Sequence, residues 1–322
     1  MSKKVFVARP IPEEGIKLMR EKGFQVDVNP TDRVLSKEEL KEAIAGYDGV
    51  LALLSDKIDG EVLDAAGKQL KIVANYAVGY DNIDVKAATE RKVFVTNTPG
   101  VLTEAVAEHA FTLLLSVAKR IVEADSFVRA GKFKQWEPLD FLGPQIWGKT
   151  IGIIGLGRIG SFVAQIAHGG FNMEVLYHDV VKNEEFEMRF SAKYRELPDL
   201  LKMSDFVSVH VPLIPATRHL ISAKEFGQMK PTAILINTSR GPVVDEVALV
   251  EALKVKKIAG AGLDVYEHEP QLTPGLVDLP NVVLTPHTAS ATHEARSAMS
   301  KIAAENIIAA LEGKQPPNLV KQ

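Results

Sequence analysis

The sequence predicts an α/β protein made of two doubly wound parallel-sheet domains, and three observations carry that reading. Short Val- and Ile-rich runs alternate with amphipathic helical patterns. The runs are apolar throughout, as strands covered on both faces are, where a half-exposed strand would alternate. After an interval of helical pattern the alternation restarts at Thr150, and 322 residues suit two domains of roughly 150 residues each.

The first series of strands reads KVFVA (Lys4–Ala8), GVLALL (Gly49–Leu54), KIVAN (Lys71–Asn75) and VFVT (Val93–Thr96). Between them the pattern Ser36–Ala45 is expected to be helical. It opens Ser-Lys-Glu-Glu, a capping box in which side chains satisfy N–H groups at the helix start. Thr98-Pro99-Gly100 is a plausible hinge, and two long helical patterns follow, Thr103–Lys119 and Ile121–Gly131. The second series runs TIGIIG from Thr150, then Glu174–Tyr177, Asp205–His210, Ala233–Asn237, Ile258–Val265 and Asn281–Thr285. A last helix, His293–Glu312, has no strand after it and must pack on something already built. The economical arrangement returns it to the first domain. The expected domains are therefore residues 1–99 with 291–322, and residues 100–290.

Composition excludes several functions. Lys and Arg number 38 against 41 Asp and Glu, a net charge of −3, without the basic excess of a nucleic-acid binder. There is no cysteine, which removes disulfides, thiolate metal sites and cysteine nucleophiles and suits a reducing cytoplasm. The N-terminus has four apolar residues before Arg9, too few for a signal-peptide core. The apolar stretch Ala110–Ala118 falls well short of the ~20 residues that span a bilayer. No metal site is expected, since no His-x-x-x-His pair lies on a helical pattern. A cytoplasmic protein with neither nucleic acid nor membrane as partner is the expectation.

The sharpest motif is GLGRIG, with Gly155, Gly157 and Gly160 between a strand and a helix that begins near Ile159. There the first two glycines allow a tight turn close to a pyrophosphate, the third lets helix and strand pack, and the helix N-terminus favours the anion. The next strand ends at Asp179, at the distance where an acidic residue meets a ribose 2′-hydroxyl and repels a 2′-phosphate. NAD, with NADH preferred over NADPH, is the expected cofactor of a Rossmann-like second domain. Arg158 can neutralise the pyrophosphate or be an ordinary surface arginine.

Three polar residues lie just beyond strands of the second series: Arg240, Glu269 and His287. Ligands of an open parallel sheet bind outside the carboxyl ends of the strands. Singly, these residues can be a solvated strand end, a turn and a loop histidine. Together they form a working set: an arginine fork for a carboxylate, an imidazole that moves a proton, and a carboxylate that orients the imidazole. Val211, Pro212 and Ser239 are expected as further cofactor contacts.

The stretches NYAVGYDNIDV (Asn75–Val85), TNTPGVLTEAVAEHA (Thr96–Ala110), GLGRIG, SDFVSVHVPL (Ser204–Leu213), MKPTAILINTSRGPVVDE (Met229–Glu246), GAGLDVYEHEP (Gly260–Pro270) and NVVLTPHTASATHEAR (Asn281–Arg296) resemble the D-isomer-specific 2-hydroxyacid dehydrogenase family along the whole chain. The resemblance is closest to its glyoxylate and hydroxypyruvate reductases. It implies two Rossmann-like domains, a flavodoxin-like one for substrate and one for NAD, with the active site in the cleft between them. The family's catalytic residues map onto Arg240, Glu269 and His287. Its carboxylate-holding backbone maps onto Val78 and Gly79, and Thr103, Thr238, Asp264 and Ala289 resemble nicotinamide-side positions. Leu53, Leu54 and Trp136 would set the width of the substrate pocket. Two departures stand out: Pro286-His287-Thr288-Ala289 where glyoxylate reductases often read Pro-His-Ile-Gly, and His168–Met173, one residue longer than usual.

The activity implied is reduction of a small 2-oxoacid, glyoxylate to glycolate first, with hydroxypyruvate reductase and D-lactate dehydrogenase as alternatives within the class. A phosphoglycerate dehydrogenase is disfavoured by the short chain beyond the last helix, and a formate-dehydrogenase-like enzyme by Glu269, where that branch resembles Gln. From another class, an NAD-sensing corepressor remains a remote alternative. The apolar segment Thr103–Gly131 and the loop Phe133–Gly143, with Trp136, Leu139 and Phe141, imply a homodimer. The alternative is that these residues only pin the loop to their own domain.

Overall fold

Strand pairing divides the chain into two parallel sheets in the computed structural model, which describes residues 2–320. One compact unit holds the residues through Leu102 and those from Ala291 onward; the other is Thr103–Ser290.

The first unit alternates strand and helix: β1 (Lys4–Val7), α1 (Glu13–Glu21), β2 (Gln25–Val28), α2 (Lys37–Ala43), β3 (Gly49–Ala52), α3 (Gly60–Ala66), β4 (Ile72–Asn75), α4 (Val85–Glu90) and β5 (Phe94–Thr96). The strand order β2-β1-β3-β4-β5 is that of flavodoxin-like sheets. β3 and β4 are buried at every residue, which is why both read as continuous apolar runs. The capping box of α2 forms, with Ser36 accepting from the Glu39 N–H and Glu39 accepting from the Ser36 N–H.

The second unit begins with α5 (Thr103–Ala118) and α6 (Ile121–Arg129) and continues β6 (Thr150–Ile154), α7 (Arg158–Phe171), β7 (Glu174–His178), α8 (Glu184–Phe190), β8 (Lys193–Tyr194), α9 (Leu197–Met203), β9 (Phe206–Val209), α10 (Ala223–Phe226), β10 (Ile234–Asn237), α11 (Glu246–Lys254), β11 (Gly260–Leu263) and β12 (Val282–Leu284). Its sheet order is β12-β11-β10-β9-β6-β7-β8, the dinucleotide-binding order extended by one strand. The order reverses between β6 and β9, so the switch point where such sheets bind ligands lies at the ends of those two strands. α5 is largely buried, with Phe111, Leu113 and Leu114 in the core beside β6 and β10.

The chain then returns to the first unit as α12 (His293–Leu311). Ser300 on α12 accepts from the Gly15 N–H at 3.0 Å and donates to the Pro12 carbonyl at 2.6 Å, locking α12 to α1. Beyond it, Leu319 bridges Thr96 antiparallel.

Two strands have no counterpart in the sequence reading. β2 is an edge strand with one fully buried residue and β8 is two residues long, so neither presents an apolar run. Several ends are shorter than the apolar pattern suggested. GVLALL stops pairing at Ala52, and α5 stops at Ala118 because Arg120 takes a left-handed conformation (φ 53°). The segment Thr103–Gly131 divides into a buried α5 and an uncovered α6. No residue of α6 is buried, and Ile121, Val122 and Val128 are all exposed. Among the described residues no helix is long and apolar enough to cross a membrane.

Candidate active site

The glycine turn follows β6 directly. Gly155 has φ 94°, and a Cβ there would lie 2.8 Å from the His210 backbone carbon, so glycine is required on both conformational and steric grounds. At Gly160 a Cβ would meet the Gly155 carbonyl oxygen at 2.1 Å, which shows how closely α7 packs against the turn. At Gly157, the N-cap of α7, a Cβ would meet nothing within 4 Å. The turn is therefore tight beneath and open above, at the positive end of a 14-residue helix.

Asp179, one residue beyond β7, braces this turn from the side. One carboxylate oxygen accepts the Leu156 N–H at 2.6 Å and the other the Val180 N–H at 2.6 Å. A carboxylate has about four acceptor sites, so capacity remains for a ribose diol. A cavity of about 480 Å³ opens beside it, lined by Leu156, Asp179, Val181, Lys182, Asn183 and Glu184. Val180 and Val181 are exposed, and the Lys182 ammonium sits 4.7 Å over the Tyr194 ring. Arg158 and Pro212 are exposed, and Ile159 and Val211 are half-buried. These residues fit a dinucleotide, and at the far end of the rim the Thr238 hydroxyl is buried without a hydrogen-bond partner.

That far end gathers the ionisable residues. Asn237 closes β10: its side-chain oxygen accepts from the Ser239 N–H (3.0 Å) and hydroxyl (2.8 Å), and its amide donates to the Arg240 carbonyl (3.0 Å). This turn carries Arg240 past the end of the strand. Gly241 then runs against the next loop so closely that a Cβ would lie 1.9 Å from the Tyr266 carbonyl. Tyr266 serves that loop in two ways. Its N–H donates to Glu269 at 3.0 Å, and its hydroxyl donates to the Thr285 carbonyl at 2.9 Å.

Glu269 and His287 meet through Oε2 and Nδ1 at 2.9 Å. Burial pushes the Glu269 carboxyl up, but the hydrogen bond and charge of His287, the Tyr266 N–H and the charge of Arg240 outweigh it and hold it below its ordinary value. An ionised carboxylate only accepts, so Nδ1 carries the hydrogen facing it and Nε2 is left to exchange a proton. His287 itself has φ 54°, a left-handed conformation at the tip of its loop.

Asp264 fixes that loop on both sides of His287. It accepts from the Thr285 hydroxyl (2.7 Å), the Thr288 N–H (2.7 Å) and the Ala289 N–H (2.8 Å), with His109 of α5 at 3.4 Å. Burial raises its carboxyl, and these donors together lower it below the ordinary value. Asp264 is 0% exposed and Ala289 only 6%. Thr103 is buried too, at the start of α5.

Asn237, Tyr266 and His109 escaped the sequence reading. An Asn that ends an apolar strand before Ser is a turn signal that could have marked the first; nothing local marks the other two. In the first unit, Leu53 follows β3 and Val78 and Gly79 follow β4, all three half-buried at carboxyl ends of strands. Trp136 is 78% exposed on its loop, as is Leu139, while Phe141 packs edge-on against Phe127.

The chain belongs to the D-isomer specific 2-hydroxyacid dehydrogenase family, whose NAD binding domain matches residues 111–289. It is 52% identical to the glyoxylate reductase of Korarchaeum cryptofilum, over 100% of this chain and 97% of that one. Among solved structures it superposes on a Thermus thermophilus protein with a TM-score of 0.93 at 44% identity, covering 99% and 100% of the two chains. An NADPH-dependent glyoxylate/hydroxypyruvate reductase from Sinorhizobium meliloti, in complex with NADP and malonate, gives a TM-score of 0.88 at 33% identity, with 99% and 97% covered.

Proposed function

We propose that the protein reduces a small 2-oxoacid, glyoxylate to glycolate first, with NADH. The observation that carries this reading is the Glu269–His287 pair at 2.9 Å on the rim that also bears Arg240. Arg240 grips the substrate carboxylate through its planar fork. His287 delivers the Nε2 proton to the carbonyl oxygen as that oxygen gains negative charge, and Glu269 stabilises the protonated ring until it does. A bound dihydronicotinamide supplies the hydride to the carbonyl carbon. Val78 and Gly79 contribute backbone N–H groups to the carboxylate, and Leu53 contributes to the wall of the substrate pocket. Gly155, Gly157, Arg158, Ile159, Gly160 and Asp179 hold the adenosine and pyrophosphate part, and Thr103, Val211, Pro212, Thr238 and Ser239 the remainder.

Preference for NADH rests on Asp179 at the ribose position and on the exposed Val180 and Val181, which offer no cation to a 2′-phosphate. The relative from Sinorhizobium meliloti is NADPH-dependent, so support for the proposed preference lies only in this chain's own loop. The enzyme is proposed to work in the cytoplasm as a homodimer. In support of the dimer, α6 is unburied, and a groove of about 1230 Å³ lies between α5, α6 and residues 139–144. Leu139 and Leu142, which line it, are exposed, Trp136 on the same loop is exposed too, and Trp136 is proposed to narrow the partner's substrate pocket. Light scattering that returns a fully active monomer near 35.1 kDa ends the dimer reading.

The decisive experiment is turnover by the purified protein of glyoxylate, hydroxypyruvate and pyruvate with NADH and with NADPH. The highest kcat/KM is expected for glyoxylate with NADH. No turnover of any 2-oxoacid removes the enzyme reading, and a preference for NADPH removes the assignment of Asp179.

A further inference from the structure

The loop after β11 carries Glu269, and a second carboxylate holds that loop in place. Glu246, the first residue of α11, is 1% exposed, and both of its oxygens go to the loop. Oε1 accepts the Glu267 N–H at 2.6 Å and Oε2 the Thr273 hydroxyl at 2.7 Å. In return the Glu267 carboxylate accepts the Glu246 N–H at 3.4 Å. A carboxylate buried this far is costly unless its oxygens are satisfied, and here the loop satisfies both. The helix does not depend on Glu246 for its own start. Asp245 caps α11, its side chain accepting the Ala248 N–H at 2.9 Å.

The peptide between Tyr266 and Glu267 is the point of attachment. Glu246 holds its N–H, and its plane lies against Gly241, where a Cβ would come 1.9 Å from the Tyr266 carbonyl carbon and 2.4 Å from the Glu267 nitrogen. Glu267 is anchored at its other end as well. Its Oε1 meets His219 Nε2 at 2.6 Å, with Arg218 at 3.6 Å, and the His219 N–H donates to the Pro242 carbonyl at 2.8 Å. From this peptide two hydrogen bonds reach the imidazole. The Tyr266 N–H donates to Glu269 Oε1 at 3.0 Å, and Glu269 Oε2 meets His287 Nδ1 at 2.9 Å. Arg240 is held separately, its carbonyl accepting from the Asn237 amide at 3.0 Å.

We propose that Glu246 is a positioning residue for the proton transfer: it clamps the Tyr266–Glu267 peptide so that Glu269 faces Nδ1 of His287 and leaves Nε2 to the substrate. This rests on the roles given to Glu269 and His287 above. Because Glu246 sets the direction of Glu269 and not the grip of Arg240, its loss falls on kcat and spares KM.

The test uses the full chain and two readouts. Glu246→Ala removes both acceptors, and kcat for glyoxylate is expected to fall about tenfold to a hundredfold, as a shift of about 1 Å at a reacting group does. The KM for glyoxylate and the affinity for NADH, read by fluorescence, are expected to stay within about twofold. Glu246→Gln keeps an acceptor for the Glu267 N–H and turns its amide to the Thr273 oxygen, so kcat is expected within about threefold of wild type. The second readout needs no turnover. Ring-nitrogen chemical shifts of His287 at alkaline pH are expected to show the hydrogen on Nδ1 in the wild type and a mixture of tautomers in Glu246→Ala.

A native kcat in folded Glu246→Ala overturns the proposal, as does a loss borne by KM or a Gln variant no better than the Ala one. A His287 tautomer unaltered in Glu246→Ala overturns it whatever the kinetics. Should Glu246→Ala not fold, Thr273→Val decides, since it removes one of the donors from a half-buried position. A fall in kcat of about twofold to tenfold with tautomer mixing is then expected, and wild-type values in both overturn the proposal. Wild-type protein that turns over no 2-oxoacid, yet loses its tautomer preference in Glu246→Ala, overturns the functional reading alone.

Discussion

The two units solve one problem with different chemistry. Each is a doubly wound parallel sheet, and each places its candidate binding groups just past the carboxyl ends of strands. The larger unit uses ionisable side chains there: Arg240, Glu269 and His287. The smaller offers backbone N–H groups at Val78 and Gly79, in a loop whose Val78 and Gly79 carbonyls accept from the side chains of Asn97 and Asn75. Side chains can carry full charge and move protons, but each needs a brace to hold one rotamer. Backbone donors cannot titrate or be substituted away, yet their direction depends wholly on what holds the opposite carbonyls. In the proposed reading the larger unit both grips, through Arg240, and moves the proton, through His287, while the smaller unit only grips.

The sharpest break of that contrast is at His287. His287→Gln keeps a polar ring-sized group without an exchangeable proton, and kcat for reduction is expected to fall about 10²- to 10⁴-fold with NADH affinity retained. A variant within tenfold of wild type would mean that another group gives the proton. Next in size is Arg240. Arg240→Ala is expected to lose about 2–4 kcal/mol in kcat/KM, with Arg240→Lys recovering only part because an ammonium lacks the fork. Equal kinetics for Lys and Arg at this position would reduce its role to that of a point charge.

Glu269 sharpens the comparison through pH. Its carboxyl lies below the ordinary value through the hydrogen bond and charge of His287, the Tyr266 N–H and the charge of Arg240, which outweigh burial. The acid limb that Glu269 contributes to the kcat/KM profile is therefore expected below the ordinary carboxyl value of about 4.3, and it should be missing from Glu269→Gln, which has no carboxyl to titrate. An acid limb identical in the two proteins counts against the pair.

The smallest effect concerns the brace. Asp264→Asn removes the charge that accepts from Thr285, Thr288 and Ala289, and about 1–3 kcal/mol of stability is expected to go with it at neutral pH. Because the folded carboxyl is lowered, its contribution is complete above the unfolded value of about 3.9 and disappears as pH falls through the folded one. The melting temperatures of wild type and Asp264→Asn should converge below about pH 4; a constant gap would mean that the charge itself contributes nothing.

The sequence made the central strands and the glycine turn legible because both have local signatures. β3 and β4 are apolar at each step, and the turn is a fixed spacing of three glycines between strand and helix. The edge strands β2 and β8 lack such a signature, since half-exposed residues leave no continuous run. For the candidate site, proximity to strand ends marked Arg240, Glu269 and His287. Asp264 was marked only by the family resemblance, without revealing that its carboxylate is fully buried. Depth below the rim depends on packing from α5 and the His287 loop, which are remote in sequence. The hydrogen bonds from Asn75 and Asn97 to the loop beyond β4 were hidden for the same reason: an asparagine's partner is set in three dimensions.

The locking of α12 onto α1 also orders events in time. During synthesis, the segment through Leu102 emerges with the surface that α12 will cover still bare, and the whole of Thr103–Ser290 must follow before that cover exists. The larger unit, continuous in sequence, can fold as it leaves the ribosome. The smaller cannot finish until the chain is nearly complete. Closing so long a loop adds little further entropy cost, because that cost grows only with the logarithm of length, so the delay is one of sequence and not of stability. In the nascent chain, the unit that begins first is the one completed last.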